Sequence, residues 1–588
     1  MRRPDILFGV ATADHQCEAF EAPWTDVRDR FDERMQLTTR GSATDFWHRY
    51  KEDAELAASL GCRAFRFSIA WARVEPEPDR WDELVLSHYA ELAETVRRLG
   101  MEPVVTLHHY TWPLHIESGG GLTAPGFPIH FAAYADAVAR HLGNQVTYWI
   151  TINEPTELVF GYIKPWWQGE FRLPPGDAPG LPISQQIDRV LKLIPSLFLA
   201  HKLARDAIKR SNENALVSAN PLIIGLPYPM RRYMDRQTTR LRQPDQLARK
   251  LGRIAVQPLA RAPKADVVIG VQRTARHGLR ADFSLPLDHG RGGMRRAVAV
   301  PKHRPDLMAA VNRVITSADH DPSRPLSGIP TVESGWLTVG VVGPAGTASA
   351  DAVSEADRQV GARLAAAIVG DPKKTRFISV NASNPVSGLS SPFGFVDRLL
   401  RWFGLLTMIL NSNWWHLGMA GQLPDWLCPR QCQFAQDFAA LDYYWGVPWY
   451  RFWRLGKLAA AAAGEFESAP VWPGGLRSSL GYVKRKFPSL PVFIIENGSV
   501  DTADGISRSD YLRVHIEQMK RAIQDGVHVM GHLCWSITSN REWGLAYGPG
   551  NDFGLFHIDL DADSGLVRVR TPAADTYASL INSAGGSP

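Results

Sequence analysis

The 588-residue chain has few cysteines, little net charge and no long apolar run. Its five cysteines, Cys17, Cys62, Cys428, Cys432 and Cys534, are odd in number and widely spaced, which excludes a disulfide framework. Cys428 and Cys432 make a C-x3-C pair, but no second pair completes a zinc site, and neither metal nor cofactor is expected. Buried thiols in a reducing compartment are the simpler reading, so a cytoplasmic location is expected. No stretch reaches the roughly 18 apolar residues of a membrane span. The nearest, Leu399–Leu410, is interrupted by Arg401 and reads as a barrel or interface helix. At the N-terminus, two arginines precede an apolar run too short for a signal peptide. The net charge of +5 (65 Lys and Arg against 60 Asp and Glu) does not argue for a nucleic-acid partner.

The remaining composition is that of a globular protein, with 45% apolar and 21% charged residues. The charge is uneven: Arg231–Arg313 holds 19 Lys and Arg against 6 Asp and Glu, so this stretch is +13 and the remainder about −8. Tryptophan is abundant at 19 residues, and its flat apolar face suits both packing and sugar rings.

Strand patterns alternate with helical ones. Strands are expected at Ile6–Ala11, Ala64–Ile69, Pro103–Leu107, Thr147–Ile152, Ala215–Ala219, Phe438–Tyr443, Val492–Ile495 and Val529–Trp535. Helices over Asp45–Leu60, His88–Leu99, Phe131–Leu142, Leu197–Ser211 and Tyr511–Gln524 separate several of them, most stopping at a glycine. Strand, helix, glycine, strand is the written form of repeated βα units with a parallel sheet. Polar and aromatic residues follow the strands: Gln16, His108 and His109, Asn153 and Glu154, Tyr443 and Tyr444, Glu496, and Glu542. In a (β/α)8 barrel the strand C-termini open onto the functional face.

Glu154 and Glu496 each stand where a buried apolar strand ends, in Thr151–Pro155 and Ile494–Gly498. Burial raises a carboxyl pKa and suits a general acid, while a second carboxylate kept ionised acts as a nucleophile. Carboxyl groups about 5–5.5 Å apart fit double displacement at an anomeric carbon, and about 6.5–9.5 Å fits inversion. Either glutamate alone could equally be a structural ion-pair partner.

The ordered motifs FGVATADHQCEAF, FRFSIAWARVEP, VVTLHHYTWP, TINEP, LDYYWG, IIENG and WSITSNREWG resemble glycoside hydrolase family 1, the β-glucosidase family of retaining glycosidases on (β/α)8 TIM barrels. The resemblance covers about residues 5–225 and 395–580. It implies that Glu154 is the acid/base and Glu496 the nucleophile, with Arg66 beside the nucleophile, Tyr444 hydrogen-bonded to it and Asn153 on the sugar 2-hydroxyl. It implies that Gln16, His109 and Glu542 bind hydroxyls, that Trp535 is the stacking platform and that Trp543 is its neighbour. A surface ion pair for Arg66, a core role for Tyr444 and a helix cap for Asn153 are the plainer alternatives. The substrate implied is a small unphosphorylated β-glycoside or oligosaccharide, because a carboxylate at Glu542 repels phosphate. Departures from the family pattern are Asp442 for the usual Asn, Ser539 and Arg541 for the usual Asp and Phe, and Ala19-Phe20 for Gly-Ala.

The distance of 288 residues from Glu154 to Asp442 implies an insertion of roughly 150 residues after strand 5. The expected domains are 1–227 and 391–588 for the barrel and 228–390 for an inserted α/β domain. The insert has strands at Asp266–Val271, Leu337–Val342 and Arg376–Val380, and helices at Leu307–Ile315 and Asp357–Ile368. It resembles, weakly, a permuted lobe of type 2 periplasmic amino-acid-binding proteins. That resemblance makes Arg276 the candidate partner of a small carboxylate ligand, against an inert scaffold as the alternative. Two readings follow: a retaining β-glycosidase, hydrolase or transglycosylase, or an inactive or gated barrel whose insert senses an amino-acid-like solute.

Overall fold

The computed structural model describes residues 6–19, 26–164, 169–176, 181–240 and 405–585, with short segments between 267 and 381. Eight parallel strands form one sheet: β1 (Leu7–Ala11), β2 (Ala64–Ser68), β3 (Glu102–His108), β4 (Tyr148–Asn153), β5 (Leu216–Asn220), β6 (Ala439–Asp442), β7 (Val492–Asn497) and β8 (Val529–Trp535). Their order is β6-β7-β8-β1-β2-β3-β4-β5. The ends meet as well: Asp437 N donates to Val217 O at 2.9 Å, Asp442 N to Pro221 O at 3.1 Å and Ile223 N to Asp442 O at 2.9 Å. The sheet therefore closes as a barrel, with each expected strand in place.

These segments are strands because they bury both faces. Every residue of β2, β6 and β7 is buried, which is how strands of an all-parallel sheet read. Ala11, Ala64, Val104, Ile150, Phe438, Ala440, Phe493, Ile495 and Leu533 belong to one core cluster. Small side chains from β1 and β2 leave room for Phe438, just before β6, and Phe493 of β7. The helices carry one apolar stripe each. In Glu83–Arg98, Leu86, Tyr89, Leu92, Ala93 and Val96 are buried. The Asp82 side chain caps that helix by accepting from Leu84 N and Val85 N, and Gly100 at φ +80° turns the chain out after it.

The helices expected at His88–Leu99 and Phe131–Leu142 begin earlier, at Glu83 and Phe127, and the one expected at Leu197–Ser211 is twice as long. Ile183–Ser211 runs 29 residues with Pro195 inside it, so a reading that treats proline as a break finds only its second half. Of the Leu399–Leu410 pattern, 405–409 are helical and 399–404 lie outside the described residues.

The chain divides into two compact units, Met1–Asp235 with Ile409–Leu423 and Leu427–Pro588, and Arg236–Met408 with Pro424–Trp426. The second arises from an insertion between β5 and β6. Strands Val267–Gly270, Leu337–Gly343 and Thr375–Asn381 form a parallel sheet in it, with Leu337–Gly343 central. Arg276 and the helix expected at Leu307–Ile315 lie outside the described residues, as does all but one residue of the helix expected at Asp357–Ile368. No helix among the described residues is long and apolar enough to cross a membrane.

Gly498 sits just past β7, where a Cβ would come within 1.9 Å of the Trp535 carbonyl oxygen at the end of β8. Backbone cannot move aside cheaply. Gly498→Ala is expected to lower stability by about 1–3 kcal/mol in urea unfolding, and an unchanged midpoint contradicts this packing.

Candidate active site

The C-terminal ends of β4, β6 and β7 are irregular. The strand register shifts between Ile150 and Asn153, between Leu441 and Asp442, and between Ile494 and Asn497. A shift of this kind re-aims side chains at a strand end. Here it brings Asp442 opposite Glu496, and carboxylate oxygens of Glu154, Asp442 and Glu496 lie within 4.8 Å of one another.

Arg66, from β2, is wholly buried at this cluster, so the surface ion pair is ruled out. Each arm of its guanidinium has a partner: Nη1 donates to Glu496 Oε1, Nη2 to Asn153 Oδ1 at 2.6 Å and Nε to Thr106 Oγ1 at 2.8 Å. The Tyr444 hydroxyl donates to the other Glu496 oxygen, Oε2, at 2.6 Å. Asn153 is the last residue of β4 rather than a helix cap, and Asn220 Nδ2 donates to its Oδ1 at 2.7 Å. Glu154 follows with φ +36°, a left-handed backbone costly for a non-glycine residue and typical of functional positions. Its Oε2 accepts from the Tyr110 hydroxyl, and Tyr110 also has positive φ.

The sugar-site candidates converge beside this pair. His109 stacks on Trp535 (5.9 Å between centroids, 15° between planes) and on Trp543 (5.6 Å, 16°). Trp535 Nε1 donates to Glu542 Oε1 at 3.2 Å, and Gln16 Nε2 to Asn540 Oδ1 at 3.4 Å. Gln16 Oε1 and His109 Nδ1 are buried with no hydrogen-bond partner among the described residues. Such atoms are rare unless something else satisfies them.

Burial governs protonation here. It holds Glu154 well above the ordinary carboxylate range, reinforced by the charges of Glu496 and Glu157. It pushes Glu542 up to about 8 and Glu157 to about 7. Burial and the charge of Arg66 push His109 well below the ordinary histidine range, so the ring is neutral. Two groups of acidic and histidine side chains lie close together, Glu154–Asp442–Glu496 and His15–Asp26–Asp29. The cation entering each is an arginine, Arg66 in the first and Arg40 in the second.

The structure thus joins Glu154, Glu496, Arg66, Tyr444 and Asn153 in one cluster, with Gln16, His109, Trp535, Glu542 and Trp543 next to it. Sequence reasoning missed Tyr110, Thr106, Asn220 and Asn540. Asn220 had a usable signal, a polar residue ending an apolar strand. Tyr110 lay inside the quoted VVTLHHYTWP motif and gave none beyond that.

A model of glycosyl hydrolase family 1 matches residues 2–245 and 463–586. The chain belongs to that family. It is a retaining glycosidase acting on β-glycosides. Among the relatives of this family 1 member, beta-glucosidase 42 of Arabidopsis thaliana is 24% identical over 587 residues, covering 96% of this chain and 90% of the relative. The bifunctional beta-D-glucosidase/beta-D-fucosidase of Bifidobacterium breve is 24% identical over 605 residues, covering 98% and 97%. A solved beta-glucosidase from Thermotoga maritima, in complex with galacto-hydroximolactam, shares the fold with a TM-score of 0.56 at 19% identity over 99% of both chains.

Glu542 makes a checkable contribution to stability. Its folded pKa of about 8 exceeds the ordinary 4.5, so the folded state holds this proton more tightly than the unfolded chain. Stability from this group is full below the unfolded value and is lost as pH rises toward the folded one. The stability of Glu542→Gln relative to wild type is therefore expected to rise from about pH 5 to about 8, by an amount on the order of a few kcal/mol. Parallel pH–stability curves contradict this.

Proposed function

We propose that Glu154 is the acid/base and Glu496 the nucleophile of double displacement on a non-reducing-end β-glycosyl residue. The observation that carries this is the placement of the two carboxyl groups. One oxygen of each lies within 4.8 Å of the other, which supports a closely set pair suited to direct attack over one spread to seat a water. Their surroundings also divide the work. Glu496 receives a guanidinium N–H on one oxygen and a phenol O–H on the other. Glu154 meets the single hydroxyl of Tyr110, and burial keeps its proton on.

In the first step the Glu496 carboxylate bonds to the anomeric carbon, the exocyclic C–O bond breaks, and Glu154 gives its proton to the leaving oxygen. Glu154 then removes a proton from water, whose oxygen attacks the anomeric carbon and releases Glu496. A sugar hydroxyl in place of water gives transglycosylation by the same route. Arg66 and Asn220 hold the Asn153 oxygen, and its amide nitrogen, 3.4 Å from His109 Nε2, is the donor offered to the sugar 2-hydroxyl. Gln16, His109 and Glu542 meet the other hydroxyls, and Trp535 carries the C–H face. Burial makes Glu542 largely neutral at pH 7, so selection against a phosphosugar rests on this carboxyl offering phosphate no positive partner, more than on charge repulsion.

Glu496→Ala is expected to lower kcat on an aryl β-glucoside by several orders of magnitude, and wild-type-like turnover sinks the assignment. Glu154→Gln is expected to lose about 10²–10⁴-fold on substrates with poor leaving groups and to lose the Glu154 share of the falling alkaline limb of kcat/KM. An alkaline limb that survives unchanged removes Glu154 from the acid role. NMR of the first-formed sugar is expected to show the β anomer.

A further inference from the structure

Asp442 is a third carboxyl in the reaction centre. It ends β6 and is fully enclosed. Its Oδ2 accepts from Asn220 Nδ2 at 2.5 Å, and its Oδ1 is buried with no hydrogen-bond partner among the described residues. The same Asn220 nitrogen donates to Asn153, whose oxygen also takes Arg66. Asp442 is therefore tied, through two amides, to the arginine that holds Glu496.

The charged and titratable groups facing it are Glu496 from β7, Glu154 from the end of β4, Arg66 from β2, and Tyr444 two residues further on. With all three carboxyls ionised, the cluster holds three negative charges against one guanidinium. That guanidinium is bonded to Glu496, and among the described residues the only side-chain donor on Asp442 is a neutral amide. Carboxylates this close do not all ionise, and a buried anion such as Asp442, without a cation of its own, is costly.

We infer that Asp442 carries a proton in the working enzyme and serves as a positioning residue: as a neutral acid it holds Asn220, and through it Asn153, without adding a third negative charge beside Glu154 and Glu496. The inference rests on the roles of Glu154 and Glu496 given above. Burial and the two neighbouring carboxylates push Asp442 in the same direction, well above the ordinary range. In this account the reaction centre contains two protonated carboxyls, Glu154 and Asp442, and one nucleophile. Ionisation of Asp442 at high pH weakens its neighbours' function by raising local negative charge, so it contributes to the alkaline limb.

The test reads the proton directly. Infrared difference spectra are taken at neutral pH between Glu154→Gln and the double variant Glu154→Gln, Asp442→Asn. The expected result is loss of the C=O band of an un-ionised carboxylic acid. Loss of carboxylate bands instead overturns the inference. This reading needs no turnover, so it is separable from failure of the Glu154 and Glu496 roles, which their own variants judge. The second measurement is the acid limb of kcat/KM in Asp442→Asn. It is expected to coincide with wild type, because no charge is removed. An acid limb displaced downward by about one pH unit shows that an Asp442 anion had been opposing ionisation of the nucleophile, and overturns the inference. If the variant does not fold, ¹³C spectra of aspartate-labelled wild type carry the test. A carboxyl resonance that titrates together with the loss of activity at alkaline pH supports the inference, and its absence overturns it.

Discussion

The contact between Arg66 and Glu496 is the constraint around which this barrel is arranged. Both partners are buried, so neither is tolerated without the other and without further hydrogen bonds. The structure answers with a full set. Thr106 from β3, Asn153 from β4 and Glu496 from β7 each take one direction of the guanidinium, and Tyr444 completes the carboxylate. Four neighbouring or facing strands must therefore end at matched heights. The register shifts in β4, β6 and β7 deliver their polar ends to that level.

Chemistry follows from how differently the two glutamates are surrounded. Desolvation acts on both, but Glu496 lies against a cation and a phenol while Glu154 lies against one phenol and two other carboxyls. These surroundings support the proposed division, in which one attacks and the other holds and delivers a proton. Trp535, Trp543 and His109 form a stacked aromatic wall beside the carboxyl cluster, a flat apolar surface of the kind the proposed sugar site needs.

The strands and the proposed catalytic pair were legible in the sequence because one physical rule governs both. A fully buried parallel strand is an unbroken apolar run, and the polar residue that ends it faces the open end of the barrel. Glu154, Glu496 and Tyr444 stood out this way, whereas Arg66, inside β2, was picked out by the family resemblance. What escaped depended on three-dimensional accidents. Tyr110 reaches Glu154 only because of its left-handed backbone. Asn220 matters because barrel closure sets β5 beside β6, a pairing more than 200 residues apart in the chain that no local pattern announces. Asp442 was visible as an odd residue in its motif, but its weight comes from the register slip that places it against Glu496. Proline 195 hid half of the helix between β4 and β5 because a break rule cannot see the packing that tolerates it.

The central claim is that Glu496 becomes covalently glycosylated. A 2-deoxy-2-fluoro aryl β-glycoside slows both steps by destabilising the oxocarbenium-like transition state, and its good leaving group lets the first step proceed. Peptide mapping by mass spectrometry after incubation with this reagent is the most direct test. The account predicts one glycosyl adduct, on Glu496, formed as activity is lost. Inactivation with the adduct on another residue, or turnover that gives the α anomer first, contradicts it.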